Sequence, residues 1–226
     1  MLHPSNRRSY NYCKMPVVLR RRAQVGSGVR YQGRLRFGVQ GGIKLVMGIT
    51  ADPPPAMLLV AAFSRHRAAL DWAKRRAEQC WGNIVLQSPL YDFTETTYYE
   101  AEMGPGLQKQ FFLLGGDFDP AELIEKKLTA NAWEAEYAAG AAYAEQRPLN
   151  IDPGYITLGK LVLASTKDFV HRVYLGRGIY AEVTLFYRHN RWQHHDFTFP
   201  DYRRADYHQF FSQCRQLLKQ KIHSRA

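Results

Sequence analysis

Met57–Phe63, MLLVAAF, is a run of seven apolar residues that follows Pro53-Pro54-Pro55 after one alanine, Ala56. A run of that length suits a strand, and a strand without polar alternation has to be buried on both faces, as a central strand is. The chain around it therefore has to build a sheet outward from these residues.

The following segments supply the parts. Arg65–Trp81 carries Ala69, Trp72, Ala73, Arg76 and Cys80 at helical spacing, and Gly82 stops it. Ile84–Leu86 resumes as a strand, and Phe111–Leu114 makes another, closed by Gly115-Gly116. Asp119 then reads as an N-cap, with Pro120 at the first helical position and Glu122 three residues after the cap. Ile124, Leu128, Ala132, Ala135 and Ala139 form the apolar stripe of that helix. Lys127, Asn131 and Glu134 form a polar stripe, expected on a solvated or interhelical face. Leu149–Ile151 is a short strand. The order β-α-β-β-α-β is that of the ferredoxin-like split unit, so the first half is expected to be α+β, with an antiparallel sheet and both helices on one face. The second half extends it by a helix, a β-hairpin and a C-terminal helix over Asp206–Ile222.

Charge divides the chain. Of 31 Lys and Arg and 20 Asp and Glu, residues 1–46 hold ten bases and no acid, which leaves 21 bases against 20 acids. Residues 1–46 read as a basic disordered leader, upstream of a true start at Met47, and 47–226 as a single domain. That domain is nearly neutral, so charge gives no argument for nucleic-acid binding by it. No apolar run reaches the length of a membrane span. Cys13, Cys80 and Cys214 lie far apart without a C-x-x-C pair, which suits a reducing compartment, and cytoplasm is the expectation.

The chemistry concentrates in IDPGYITLGKLVLASTKD, Ile151–Asp168. With Thr157 as cap, a helix to about Phe169 would place Leu158, Leu161, Val162, Ser165 and Phe169 on one face. Thr157, Lys160, Ala164, Lys167, Asp168 and His171 would gather on the other. The Asp152-Pro153-Gly154 turn would then precede a helix N-terminus able to hold an anion, with Lys160 one turn in. A buried strand in the same place would remove that facial argument. Behind it, RVYLGRGIYAEVTLFYR reads as a hairpin. A three-residue loop, Gly176-Arg177-Gly178, pairs Leu175 with Ile179, Tyr174 with Tyr180, Val173 with Ala181 and Arg172 with Glu182. Val173, Leu175, Ile179, Ala181, Val183 and Leu185 would face the core. Tyr174, Tyr180, Thr184 and the Arg172–Glu182 pair would face outward.

Familiar nucleotide and nucleophile motifs are missing. There is no G-x-x-x-x-G-K-[ST] loop, no complete dinucleotide fingerprint and no G-x-S-x-G elbow. His189, His194, His195 and Asp196 fit a solvated loop better than a metal site. Tyr98-Tyr99-Glu100-Ala101-Glu102 packs aromatics and acids more densely than an idle loop requires.

Four blocks, DFTETTYYEAEMGPGL (92–107), NIDPGYITLGKLVLASTKD (150–168), HRVYLGRGIYAEVTL (171–185) and FPDYR (199–203), resemble an uncharacterised bacterial family, domain of unknown function 4416 (DUF4416). The resemblance covers about residues 57–221 and implies no activity. Some members carry a GTP-binding label, which no nucleotide motif in this chain supports.

The leading functional expectation is a binder of a nucleotide or other phosphorylated small molecule. Its site would draw on Tyr98, Tyr99, Glu102, Asp152, Gly154, Tyr155, Lys160 and Lys167. An enzyme acting on such a ligand is the alternative, with Asp152 or Glu182 as base or Mg²⁺ ligand and His171 transferring protons. A non-catalytic interaction module presenting its tyrosines is the third reading, and RNA binding through the sheet the fourth.

Overall fold

The computed structural model describes residues 50–140 and 142–225; the leader 1–46 and Met47 lie outside the described residues. Its strands are β1 (Met57–Ser64), β2 (Ile84–Gln87), β3 (Tyr91–Asp92), β4 (Gln108–Leu114), β5 (Asn150–Ile156), β6 (Lys160–Ser165), β7 (Val173–Gly176), β8 (Ile179–Arg188) and β9 (Arg191–His194). The helices are α1 (Arg67–Trp81), α2 (Glu100–Met103), α3 (Leu123–Gly140) and α4 (Ala205–His223). All nine strands join one antiparallel sheet, in the order β2-β4-β1-β5-β6-β8-β7, with β3 on β4 and β9 on β8.

Every residue of β1 is buried, as its composition demands. Leu58, Val60 and Ala62 meet Ala69, Leu70 and Ala73 of α1 and Leu123, Ala130 and Trp133 of α3. Leu59 and Ala61 meet the opposite layer, built from Tyr207, Phe210, Phe211, Cys214 and Leu218 of α4. The ferredoxin-like half is thus present: β2-β4-β1-β5 with α1 and α3 on one face. What completes the domain is α4, which covers the face that such a unit leaves bare. Phe111, fully buried, centres that second layer, with the rings of Tyr91, Tyr202, Tyr207, Phe210 and Phe211 all within 6.2 Å.

Three expectations are corrected. Thr157–Phe169 is not a helix. Asn150–Ile156 and Lys160–Ser165 are strands joined by a tight turn, in which the Thr157 hydroxyl accepts the N–H groups of Gly159 and Lys160, both at 3.1 Å. Leu161 and Leu163 join the α4 layer while Val162 and Ala164 join the α1–α3 layer, so the segment is apolar on both faces and helical spacing in it is accidental. Asp152-Pro153-Gly154 accordingly lies within β5 and is no helix-terminal anion site. Pro153 is tolerated because β6 begins to pair with β5 only at Gly154.

Helix α3 is also rotated from the expected stripe. It buries Leu123, Lys127, Ala130 and Trp133; of the expected stripe Ile124 and Leu128 pack partly buried against the same layer, while Ala132, Ala135 and Ala139 are exposed. Alanine has little apolar area to hide, so Leu123 and Trp133 set the orientation. The start is as expected, with Asp119 accepting the Ala121 N–H at 2.9 Å ahead of a single 3₁₀ turn.

The hairpin keeps the pairs Val173–Ala181 and Tyr174–Tyr180, but Gly176 rather than Leu175 opposes Ile179. Leu175 bulges, and the turn contracts to Arg177-Gly178 with φ of 54° and 77°, a primed turn that suits the twist of the strands. A second bulge opposite Leu161-Val162 makes Thr184 an extra residue in β8. Glu182 and Thr184 are therefore buried, contrary to their expected outward face, while Val173 and Val183 are exposed.

Gly154 has a packing role. A Cβ there would collide with the Val162 carbonyl oxygen and lie 2.6 Å from Leu163 Cδ2, both on the adjoining strand. We expect Gly154→Ala to destabilise the chain by about 1–3 kcal/mol through this overpacking, read as a lower urea midpoint. A variant as stable as the parent would show that β6 yields there.

Candidate functional site

Two polar constructions grow from this framework. The first fills the opening where β5 has not yet met β6. At Ile151 the neighbouring strand is missing, and side chains of α3 take its place. Glu134 accepts the Ile151 N–H at 2.7 Å and Lys127 donates to the Ile151 carbonyl at 2.9 Å. Lys127 Nζ also donates to Asp152 Oδ1 at 2.8 Å, while Asn150 Nδ2 donates to Asp152 Oδ2 at 2.7 Å. Arg147 bonds Glu134 and Asn150 and lies 3.8 Å from Glu102. Burial pushes the Asp152 carboxyl upward, but the charges of Lys127 and Lys109 and the bonds from Lys127 and Asn150 outweigh it and hold it below the usual range. Burial dominates at Glu134 and raises its carboxyl, despite Lys127 and Arg147. A hollow of ≈350 Å³ beside this network is lined by Glu102, Asn131, Glu134 and Arg147. Its charged groups already hold one another, so it offers little to an incoming ion.

The second construction stands at the edge of β8. Strands β7 and β9 both pair with this edge but leave a gap at Glu182–Thr184. The gap is closed by polar side chains: Thr198 Oγ1 donates to the Thr184 carbonyl at 2.8 Å, and Thr184 Oγ1 donates to Glu182 Oε1 at 3.2 Å. Arg172 Nε donates to Glu182 Oε2 at 2.8 Å, and its other end donates to Ser165 Oγ and the Lys167 carbonyl. His171 Nε2 lies 3.0 Å from the same Oε2. The His171 side chain is only 7% exposed, yet its Nδ1 has no partner. One face of the imidazole stacks on Phe197 at 4.2 Å, and Phe197 stacks in turn with His195 at 4.9 Å.

Beside this group lies a pocket of ≈350 Å³. Val162, Val173, Ala181 and Val183 give it an apolar lining, and Tyr155, Lys160, His171, Glu182, His195 and Phe197 complete it. Burial raises the Tyr155 hydroxyl above its ordinary value. Glu182 is the only carboxylate of the lining, and it is neutralised by Arg172 from behind.

The expected site residues divide between these places. Tyr155, Lys160, His171 and Glu182 come together in the pocket, and His171 touches Glu182. Asp152 is committed to Lys127 and Asn150, and Glu102 faces Arg147. Lys167 donates to the Tyr98 hydroxyl at 2.8 Å on the surface, while Tyr99 packs edge-on against Phe63. Gly154 lies inside the sheet. Burial raises the Tyr202 hydroxyl far above its ordinary value, and the charges of Asp201, Asp152 and Glu182 add to the effect.

Sequence reading missed the inward-facing pair Lys127 and Glu134, and the buried ion pair of Lys109 with Asp201. It also missed the stack on Phe197. The α3 polar stripe was itself the signal for the first, and FPDYR held the second. Among the described residues no group of three or more His, Cys, Asp or Glu could hold a metal ion, and no helix is long and apolar enough to cross a membrane.

A family model described as Domain of unknown function (DUF4416) matches residues 54–218. No curated protein and no solved structure matches the chain.

Proposed function

The chain belongs to the DUF4416 family, and we propose that it binds a phosphorylated small molecule, nucleotides included, in the pocket over β6 and β8. One observation carries this reading. Lys160 and His171 line an open apolar hollow whose single carboxylate is already held by Arg172 and Thr184. An anion entering there meets the Lys160 ammonium without an opposing free acid, and the aliphatic lining receives the uncharged part of the ligand. Mg²⁺, if required, would arrive on the ligand's phosphate oxygens, because both Asp152 and Glu182 already hold cationic side chains.

Thermal melting of the full chain tests this reading, against inorganic phosphate, sugar phosphates, nucleotides and short RNA, with and without Mg²⁺. A ligand at a hundred times its dissociation constant adds about 2.7 kcal/mol of stability. We expect one phosphorylated class to raise the midpoint and Lys160→Ala to abolish that rise while the unliganded chain melts as before. No response from any phosphorylated compound sinks the reading.

A second reading has its own observation. Phe169, Val170, Val173, Tyr174 and Leu175 lie exposed on and beside β7, the outermost strand of the sheet. Exposed apolar side chains gathered at a sheet edge suit a protein partner. Melting that ignores every small ligand would favour it.

A further inference from the structure

Resting on the pocket just described, we propose that His171 is a general base oriented by Glu182, and that the protein moves protons on its bound ligand. The imidazole has two distinct nitrogens, and a hydrogen bond at one sets the state of the other. Glu182 accepts at Nε2, and its carboxylate is itself fixed by Arg172 through Oε2 and by Thr184 through Oε1. Three bonds on one carboxylate leave it little freedom to turn. An ionised carboxylate only accepts, so the neutral ring must place its proton on Nε2, and Nδ1 is left with its lone pair. That nitrogen is buried without a partner in a residue lining the pocket. A carboxylate on one ring nitrogen, with the other kept for the reacting group, is the arrangement that activates a histidine as base.

In the step this assigns, the O–H bond of a ligand hydroxyl or bound water breaks and an N–H bond forms at Nδ1. The electron pair stays on the oxygen, and the imidazolium is stabilised by Glu182. The rings over the imidazole are surface groups: Phe197 and Phe169 are 43% and 59% exposed and contact it face-on and edge-on. Nδ1 is buried, but the rings touching its imidazole are exposed side chains whose rotation is fast, so access to it needs no change of fold.

The test needs no ligand, which separates it from the melting assay above. Nitrogen NMR of the full chain should find a pyrrole-like Nε2 and a pyridine-like Nδ1 in the neutral His171 ring. Reactivity is then read with diethyl pyrocarbonate, located by mass spectrometry. Nδ1 attacks a carbonyl carbon, the N–C bond forms as the C–O bond to ethyl carbonate breaks, the ring releases its Nε2 proton, and ethyl carbonate takes up a proton to give ethanol and carbon dioxide. Phe197→Ala should speed modification of His171. Adding Glu182→Gln should slow it by about tenfold or more, with Glu182→Asp recovering part of the rate. A proton on Nδ1 of the neutral ring, a ring that stays doubly protonated through neutral pH, or reactivity indifferent to Glu182 would overturn the proposal. A failed melting screen with the expected NMR and reactivity would instead remove the phosphorylated ligand and keep the base.

Discussion

Replacing Lys109 by methionine is expected to cost about 3–5 kcal/mol, the range for breaking a buried ion pair by removing one partner. At this chain length that lowers the melting midpoint by roughly 6–20 °C. Lys109 projects from β4 to the carboxylate of Asp201 in the 3₁₀ turn that precedes α4, and the two side chains are 5% and 3% exposed. The ammonium also lies 3.9 Å from the ring centroid of Phe93, 5.0 Å from Phe63 and 5.1 Å from Tyr202, so three aromatic rings share its charge. Methionine keeps most of the aliphatic stem but leaves the Asp201 carboxylate without its cation in that setting. Asp201→Asn should be nearly as damaging, because it strands the lysine. The double variant Lys109→Met/Asp201→Asn should recover much of the loss, since neither charge is then left unpaired, and a double-mutant cycle isolates that coupling. Chemical denaturation of the four proteins measures it. A loss under about 1 kcal/mol for either single variant would mean that water reaches the pair, as it does in surface salt bridges.

This pair ties the 3₁₀ turn to the sheet, and it is one of several features that local sequence could not reveal. The central strand was legible because seven apolar residues in succession admit few other fates. Asp119-Pro120 announced a helix start for a local reason, a side chain capping its own turn. Face matching in the hairpin gave two of its pairs without any structure. What failed was whatever depended on a partner distant in the chain. Leu161 and Val162 fit a helix, but the same residues suit a strand buried from both sides, and only β5 and β8 decide between them. Lys127 looked solvated because nothing local says that β5 and β6 splay apart behind it. Tyr155, Lys160, His171 and Glu182 were named from their chemistry. Their meeting depends on a gap between β7 and β9 and on the bulge that puts Thr184 into β8 there, and bulges leave little mark on composition. The grouping of Asp152 and Glu102 with Lys160 had no such support, because it rested on a helix terminus that is a strand.

Asp152→Asn tests the other half of that division, since it asks whether Asp152 closes the sheet or waits for a ligand. Both oxygens are in use, one by Lys127 and one by Asn150, and Asn150 cannot turn its amide because its oxygen is held by Arg147. An asparagine at 152 can keep an oxygen toward Lys127, but its NH₂ group then faces the NH₂ of Asn150, donor against donor. The Lys127 ammonium, 4% exposed, is left with Glu134 at 3.9 Å as its remaining acid. The expected loss is about 3 kcal/mol at neutral pH, the low end for a broken buried pair because Asp152 itself is 29% exposed. The loss should also depend on pH. The folded-state carboxyl of Asp152 lies below its unfolded value, so its stabilisation is complete above about pH 4 and fades as pH falls through the folded value. The stability gap between parent and variant should therefore narrow on acidification. Asp117, Glu145 and Asp206 also have lowered values, but Arg225, His66 and Arg204 hold them in both proteins, so they cancel in the difference. Glu134 moves the opposite way: raised chiefly by burial, it relieves a penalty as pH drops, and because the charge of Asp152 adds a lesser part of that rise, which the variant loses, this term opposes the narrowing in small part. Urea unfolding of both chains from neutral pH down to about pH 3 reads the gap directly. A gap that is small at neutral pH and flat on acidification would mean that Asp152 is no strut of the sheet, and its carboxylate would return to consideration as a group available to a ligand.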